Sequence, residues 1–121
     1  MFKQLVTAIY HAPDIEKAKA WYSQVLGIKP YFDEAFYVGF NVGGYELGLQ
    51  PDPGENLQGL GGSLPYWRVD DIEIAFKSLL ELGATVINPI AGVGDSIKVA
   101  IVKDPFGNAL GIIQNPHFKA E

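Results

Sequence analysis

An internal repeat constrains the fold of this chain more than any other feature. Three short runs occur in both halves and in the same order: DIE at 14–16 and 71–73, Leu-Gly at 26–27 and 82–83, and LGL at 47–49 matched by LGI at 110–112. Short matches arise by chance, but three in one order indicate a duplication. The segment between the copies, residues 51–62, is rich in glycine and proline, which is typical of a linker.

Each half carries the signals of a strand followed by a helix. Two runs rich in β-branched and aromatic residues, LVTAIYH and SLPYWRV, predict the strands. Asp14 and Asp71 then stand where a side chain can cap a helix N-terminus, and each is followed by a first-turn glutamate that suits the helix dipole. We expect the helices to end at about Leu26 and Leu82, because a glycine follows each of them.

Three extended segments follow each predicted helix. They span residues 28–33, 36–42 and 45–50 in the first half and 84–90, 96–103 and 109–114 in the second. The sequence therefore predicts an α+β fold with the pattern βαβββ twice, in modules 1–50 and 63–116 of a single domain covering residues 1–121. One helix would cover the outer face of each module, and the bare faces would form a curved mixed sheet around a ligand-binding cavity.

Composition excludes several classes of partner. The chain has 121 residues and a formal net charge of -5, and its nine lysines and arginines are scattered, which argues against binding to nucleic acid or to an anionic membrane. It contains no cysteine, which excludes disulfides, thiolate metal sites and a cysteine nucleophile. No apolar run has the length of a signal peptide or a membrane span, so we expect a cytoplasmic protein.

Three segments carry a resemblance to a known family. HAPDIEKAKAWYSQVLGI, VDDIEIAFKSLLELGA and KDPFGNALGIIQ resemble the glyoxalase / bleomycin-resistance / extradiol dioxygenase superfamily, also called vicinal oxygen chelate (VOC) proteins. The similarity covers nearly the whole chain and implies paired βαβββ modules around a cavity, usually in a homodimer. For the enzymes of the superfamily it also implies a divalent metal, held by His, Glu or Gln side chains from the first and last strands of the modules.

The positions that the resemblance assigns to these metal ligands hold no suitable donor. They are Thr7 and Leu64 on the first strands, and Gly48 and Gly111 on the last strands. Zinc, nickel, iron and manganese sites are built from several imidazole or carboxylate ligands, and these four residues supply none. We therefore predict that the protein holds no metal and needs no other cofactor.

Other donors near these positions are few. Glu46 lies two residues before Gly48 and so points to the same face of the strand. The two histidines are His11, expected at the rim of the cavity, and His117, in the C-terminal tail beyond the last strand. One histidine and one glutamate make a weak metal site.

Two interpretations of the glycines at 48 and 111 stay open. Because glycine has no side chain, a pair at matching positions predicts space for a ligand on both sides of the cavity. The same pair fits bends in a strongly curved sheet, with neighbouring aromatic side chains closing over each gap.

Strand alternation from the four assigned positions, with Tyr37 added as an aromatic residue that could form a pocket wall, gives the predicted ligand-binding residues. They are Thr7, Ile9, Tyr37, Glu46, Gly48, Leu64, Tyr66, Arg68, Gly111 and Ile113. Arg68 is suited to a ligand carboxylate or phosphate, although an arginine placed before two aspartates more often forms a surface ion pair. Other aromatic residues fit either a pocket wall or the core of a small domain: Phe32, Phe36, Phe40, Tyr45 and Trp67.

Two functions fit this sequence. The first is a metal-free small-molecule-binding protein of the superfamily, which sequesters or senses a small, partly apolar compound. The second is an enzyme, a glyoxalase-like lyase or isomerase or a dioxygenase-like enzyme, with an atypical or absent metal site and no catalytic residue that the sequence identifies. A structural dimer with a collapsed cavity is a third possibility.

Overall fold

The computed structural model describes residues 3, 5–52 and 64–116. The chain forms two compact units, Met1–Gln58 and Gly59–Glu121. The elements, in chain order, are β1 (Thr7–Ala12), α1 (Ile15–Leu26), β2 (Phe32–Glu34), β3 (Tyr37–Val42), β4 (Tyr45–Pro51), β5 (Tyr66–Arg68), α2 (Ile72–Glu81), β6 (Thr85–Gly94), β7 (Ile97–Lys103) and β8 (Ala109–Gln114). Each unit is therefore one βαβββ module, and the α+β prediction is confirmed.

The first unit contains a four-stranded sheet in the order β1-β4-β3-β2. β1 runs parallel to β4, whereas β3 is antiparallel to both β4 and β2. One face packs against α1, as shown by the ring of Tyr10 stacked on that of Tyr22 with centroids 5.8 Å apart. The core on this side is formed by Tyr10, Ala12, Ala18, Tyr22, Val38, Phe40, Leu47 and Leu49. The opposite face carries the candidate site.

The ends of α1 follow from its sequence. Asp14 has an extended backbone, and its side chain accepts hydrogen bonds from the amides of Glu16 and Lys17 at 3.1 and 3.2 Å. These bonds satisfy amides that the first turn of a helix leaves without partners. At the other end Gly27 adopts a left-handed conformation with φ 69°, and its amide donates to the carbonyl of Ser23. Helix α1 thus ends at Leu26, as predicted.

The second unit repeats this arrangement in the order β5-β8-β7-β6. β5 runs parallel to β8, and β7 is antiparallel to both of its neighbours. Asp71 caps α2 by accepting from the amide of Ile74 at 3.2 Å, and the Gln114 side chain accepts from the amide of Ile72 at 2.8 Å. The core is formed by Ile72, Leu79, Ala84, Ala100, Val102, Leu110 and Ile112.

Residues 104–108, the DPFGN segment that carried part of the resemblance, form a self-contained turn. Asp104 is buried, and its Oδ1 accepts hydrogen bonds from the amides of Phe106 and Asn108, both at 2.9 Å. Its Oδ2 accepts from the Asn108 side-chain amide at 3.3 Å, and the backbone of Asp104 also pairs with that of Asn108. The motif therefore fixes the entry of β8, so its role in this chain is structural.

Some predicted boundaries differ from the structure. β2 begins at Phe32, whereas residue 28 was predicted, because Pro30 has no amide hydrogen to donate to a strand ladder. β6 extends to Gly94, with irregular pairing to β7 along its length. Helix α2 ends at Glu81, one residue earlier than predicted, with Leu82 as its cap.

Several expectations fall outside the described residues or stay predictions. Residues 53–62, most of the predicted linker, and His117 lie outside the described part of the chain. That the two modules form one domain stays a prediction. Neither of the two described helices is long and apolar enough to cross a membrane.

Candidate functional site

The candidate site lies on the face of the first sheet that points away from α1. There the strand register places Thr7 of β1 beside Glu46 of β4, and Glu46 beside Asn41 of β3. The next pairs along the same face bring Ile9 beside Gly48 and Gly48 beside Gly39. A polar row thus adjoins a row in which two of the three residues have no side chain.

Three hydroxyl groups converge on the carboxylate of Glu46. Its Oε1 accepts hydrogen bonds from Thr7 Oγ1 at 3.0 Å and from the Tyr37 hydroxyl at 2.7 Å. Its Oε2 accepts a short hydrogen bond from the Tyr31 hydroxyl. We refer to Thr7, Tyr31, Tyr37 and Glu46 as the hydroxyl-carboxylate cluster.

The two glycines beside Glu46 make room for the tyrosines of this cluster. A Cβ atom added at Gly48 would overlap the Tyr37 hydroxyl and lie 2.7 Å from Cζ of that ring. A Cβ added at Gly39 would lie 2.8 Å from Glu46 Oε2 and 3.0 Å from Tyr31 Cε1. Tyr31 is anchored here because its amide donates to the Gly39 carbonyl at 2.9 Å. The bare positions are therefore filled by aromatic rings from the same module.

Electrostatics follow from these contacts. The hydrogen bonds from Tyr31, Tyr37 and Thr7 lower the pKa of Glu46 below its ordinary value, so the group is a carboxylate at neutral pH. Burial, followed by the bond to Glu46, raises the pKa of Tyr37 well above its ordinary value. The bond to Glu46 likewise raises the pKa of Tyr31. Both phenols stay protonated and act as donors, and Glu46 keeps a full negative charge.

A cleft of about 240 Å³ opens beside this carboxylate. It is lined by Val6, Thr7, Tyr31, Asn41, Gly44, Tyr45 and Glu46. Several large apolar side chains on neighbouring segments are exposed to solvent: Leu5, Val6, Ile9, Phe32 and Phe36. The cleft therefore has the Glu46 carboxylate in a fixed orientation, walls of polar and aromatic residues, and exposed apolar side chains nearby.

The second module has a different site at the matching position. Tyr66 lies beside Gly111 in the ladder, and a Cβ added at Gly111 would lie 2.6 Å from Tyr66 Cδ1 and 3.0 Å from the Pro65 carbonyl. A neighbouring aromatic ring therefore fills the gap at Gly111, as it does at Gly48. Arg68, beside Ile113 in the ladder, forms an ion pair with Asp70 at 3.1 Å, and both side chains are largely exposed.

The structure brings some of the predicted site residues together. Thr7, Tyr37 and Glu46 are in direct contact through hydrogen bonds, and Ile9 and Gly48 adjoin them. Leu64, Tyr66, Arg68, Gly111 and Ile113 belong to the second unit. Phe40 is fully buried on the α1 side and so belongs to the core.

Sequence reasoning missed four residues of the cleft: Val6, Tyr31, Asn41 and Gly44. Tyr31 precedes β2 in a segment without strand alternation, so no periodicity marked its direction. The available signal was the second glycine, Gly39, which stands opposite Gly48 in the hairpin and leaves a gap for another ring.

His11, the histidine expected at the rim, lies in the next row of the same sheet. Its Nε2 lies 3.1 Å from the side-chain oxygen of Gln50, with which it is paired in the β1–β4 register. No hydrogen bond between His11 and Glu46 occurs among the described residues, so the two do not form a joint site there.

The side chains present do not fit the metal that the resemblance implies for enzymes. Glu46 is the carboxylate beside Thr7, and three hydroxyls already occupy most of its lone pairs. Within residues 5–52 and 64–116, no group of three His, Cys, Asp or Glu side chains comes together as a metal site would require.

Comparisons with known proteins agree with this fold. No curated protein matches the sequence significantly. Among solved structures, a glyoxalase-related enzyme from Fulvimarina pelagi has a TM-score of 0.81 and 16% identity, over 99% of this chain and 94% of that one. Lactoylglutathione lyase from Agrobacterium tumefaciens has a TM-score of 0.76 and 18% identity, over the whole of both chains. A glyoxalase/bleomycin resistance protein from Albidiferax ferrireducens T118 has a TM-score of 0.73 and 21% identity, over 94% and 100%.

These likenesses, at low identity, establish the fold. The family model of the Glyoxalase/Bleomycin resistance protein/Dioxygenase superfamily matches residues 4–112, which is most of the chain. The paired βαβββ modules, the aspartate-capped helices and the DPFGN turn are the features on which the sequence resemblance rested, and all are present. The protein belongs to the Glyoxalase/Bleomycin resistance protein/Dioxygenase superfamily.

Proposed function

We propose that this protein is a small-molecule-binding member of its superfamily, and that its ligand occupies the cleft beside Glu46. The observation that carries the proposal is the hydroxyl-carboxylate cluster, in which two tyrosines and a threonine hold one carboxylate in a fixed orientation. A fixed polar group with apolar surroundings is the usual composition of a small-ligand site. The ligand would be a small, partly apolar compound that the protein sequesters or senses.

The protonation states of the cluster favour binding over acid-base catalysis. A general base works best when its pKa lies near the working pH, and the hydroxyl donors move the pKa of Glu46 in the opposite direction. Tyr37 is a poor general acid at neutral pH, because its pKa is raised above its ordinary value. The cluster is therefore poorly suited to moving protons and well suited to presenting a constant charge.

The side chains of the cluster are held in position before a ligand binds, which also favours binding. Tyr37 and Tyr31 are positioned by the gaps at Gly48 and Gly39, and Thr7 by the β1–β4 register. Side chains fixed before a ligand arrives lose little conformational entropy on binding. This supports recognition by a rigid wall, with the exposed apolar residues Ile9 and Phe32 as contacts for the body of the ligand.

The experiment is a fragment screen followed by mapping of the bound fragments on amide NMR signals. Hits that bind the proposed site shift the amides of Thr7, Asn41, Gly44 and Glu46. The variant Asn41→Trp fills the cleft and is expected to abolish these hits, because Asn41 lines it and is exposed. Gln24→Trp, an equal change at an exposed position of α1, is the matched control and should leave binding intact.

Two results would overturn this proposal. One is a set of hits that map elsewhere and survive Asn41→Trp. The other is stoichiometric metal in freshly purified protein, with the Glu46 amide shifting when a chelator removes it. The expectations of a homodimer, a cytoplasmic location and no nucleic-acid partner stay predictions.

A further inference from the structure

The charge of Glu46 is not neutralised by the groups that hold it. All three hydrogen-bond donors are neutral hydroxyls. The ion pairs found among the described residues join Lys19 to Glu16 and Asp33, and Arg68 to Asp70, so none of them includes Glu46. The cleft therefore presents a net negative charge that a ligand could compensate.

The carboxylate also keeps one position for a further donor. Two carboxylate oxygens together offer about four lone-pair sites. Oε1 accepts from Thr7 and Tyr37, whereas Oε2 accepts from Tyr31. When the hydrogen bonds between described residues are counted, the remaining site is on Oε2. The Tyr31 side chain beside it is 64% exposed, so a donor can approach from solvent.

One aromatic side chain contacts this charge directly, because the Tyr31 hydroxyl donates to Glu46 Oε2. Tyr31 and Tyr45 line the cleft with Glu46. The Phe32 ring packs edge-on against those of Tyr37 and Phe36, with centroids 6.0 Å apart in both pairs. The face of an aromatic ring attracts cations, and phenols that donate to a carboxylate are richer in electron density than free ones. The carboxylate and the aromatic rings therefore both favour a positively charged ligand.

Other classes of ligand fit less well. A bare metal ion requires several oxygen or nitrogen ligands, and the cleft offers one carboxylate. An anionic ligand would approach Glu46 with no lysine, arginine or histidine among the described residues that line the cleft. An organic cation satisfies both the charge and the rings while its body covers the exposed apolar residues.

We propose that the ligand of this cleft is an organic cation, an ammonium or alkylated ammonium group on an apolar body. The ammonium would lie against Glu46 and the ring of Tyr31, and the body would contact Ile9 and Phe32. This inference rests on the proposed function, since it names the class of compound bound at the same site.

The test uses three probes of similar shape and different charge: benzylammonium, benzyl alcohol and benzoate. Each is titrated into the full-length protein while the amides of Thr7, Asn41 and Glu46 are followed by NMR. We expect the cation to bind about fivefold to tenfold more tightly than the alcohol, and benzoate to bind least. Glu46→Gln should remove most of that preference, whereas Glu34→Gln, the same charge change at an exposed edge-strand residue, should keep it.

A second variant tests the proposal even if Glu46→Gln does not fold. Thr7→Lys places an internal ammonium directly beside Glu46, at an exposed position of β1. It is expected to lower the ratio of cation affinity to alcohol affinity, with both ligands measured on the same variant, because the added ammonium neutralises Glu46.

The outcomes separate the two proposals. If the alcohol binds as tightly as the cation and neither variant alters this, the charge inference is wrong and binding at the cleft stands. If none of the probes at millimolar concentration and none of the fragments in the screen shifts the cleft amides, both proposals are wrong.

Discussion

Replacing Gly48 by alanine tests directly whether Tyr37 depends on the missing side chain. The added Cβ would overlap the Tyr37 hydroxyl and lie 2.7 Å from Cζ and 3.0 Å from Cε1 of the ring. Gly48 does not have a left-handed backbone, so alanine brings no conformational strain at this position. The whole cost of the substitution should come from displacing one ring.

The size of that cost can be worked out from the contacts. Overpacking a well-filled site costs about 1–3 kcal/mol, and the displaced phenol also loses its hydrogen bond to the partly buried Glu46. We expect Gly48→Ala to lower the free energy of unfolding by about 2–3 kcal/mol. In a Tyr37→Ala background the obstacle is absent, and the same substitution should cost less than about 0.5 kcal/mol or even stabilise the strand.

The assay is a double-mutant cycle measured by urea unfolding. Trp21 lies in α1 and Trp67 in β5, so each tryptophan belongs to one unit. A Trp67→Phe background lets the fluorescence of Trp21 report on the first unit alone. The coupling energy between positions 48 and 37 should be about 2 kcal/mol. The comparison requires the same slope of unfolding free energy against urea concentration in every member of the cycle.

An equal cost of Gly48→Ala in both backgrounds would refute the reasoning, because the ring would then not be the obstacle. Gly111 provides the comparison. A Cβ there would meet Tyr66 Cδ1 at 2.6 Å but also the Pro65 carbonyl at 3.0 Å, and a backbone atom moves less readily than a side chain. Tyr66→Ala should therefore rescue Gly111→Ala only in part.

Three further predictions follow from the hydrogen bonds. Because the folded protein lowers the pKa of Glu46 from about 4.5, the stability lost in Glu46→Gln at pH 7 should disappear as the pH falls through the lowered value, and a constant difference in acid unfolding would contradict this. Because the pKa of Tyr37 is raised from 10.0, Tyr37→Phe should remove a late-titrating phenol from an alkaline absorbance titration, and an unchanged late phase would contradict the Glu46 contact. Asp104→Ala should cost about 2–4 kcal/mol in thermal or urea unfolding by leaving the amides of Phe106 and Asn108 without their acceptor, whereas Asp104→Asn should cost less; equal costs would show that the acceptor is unimportant.

The fold was predictable because its signals are local. Asp14 and Asp71 cap helices through their own side chains, and Gly27 ends α1 through its own backbone angle. Such signals act over four residues or fewer, so they can be identified in a single sequence. Gly43 and Gly44, which separate the predicted segments 36–42 and 45–50, have φ values of 62° and 92°, a backbone that glycine adopts readily.

The cluster was only partly predictable because it depends on side-chain direction across strands. Alternation placed Glu46 on the face of Gly48 and Thr7, and this is confirmed by the register. It did not show that Tyr37 leans diagonally over Gly48, or that Tyr31 reaches Glu46 from outside the regular strands. Those contacts depend on rotamers and on a backbone bond between Tyr31 and Gly39, for which the sequence has no periodic signal.

Among the described residues, the hydroxyl-carboxylate cluster occurs in one of the two duplicated modules. Both modules keep a glycine in their last strand, and in both an aromatic ring fills the gap, but the rings come from different strands: β3 for Tyr37 and β5 for Tyr66. The repeat LGL and LGI places Ala109 where the first module has Glu46, and the carry-over of the first-strand position places Leu64 where it has Thr7. The second module has therefore kept the packing of ring on glycine without the acid and hydroxyl. Packing of this kind is compatible with either set of residues, so the polar cluster of the first module is not a requirement of the fold, and the binding role proposed above would give it a function.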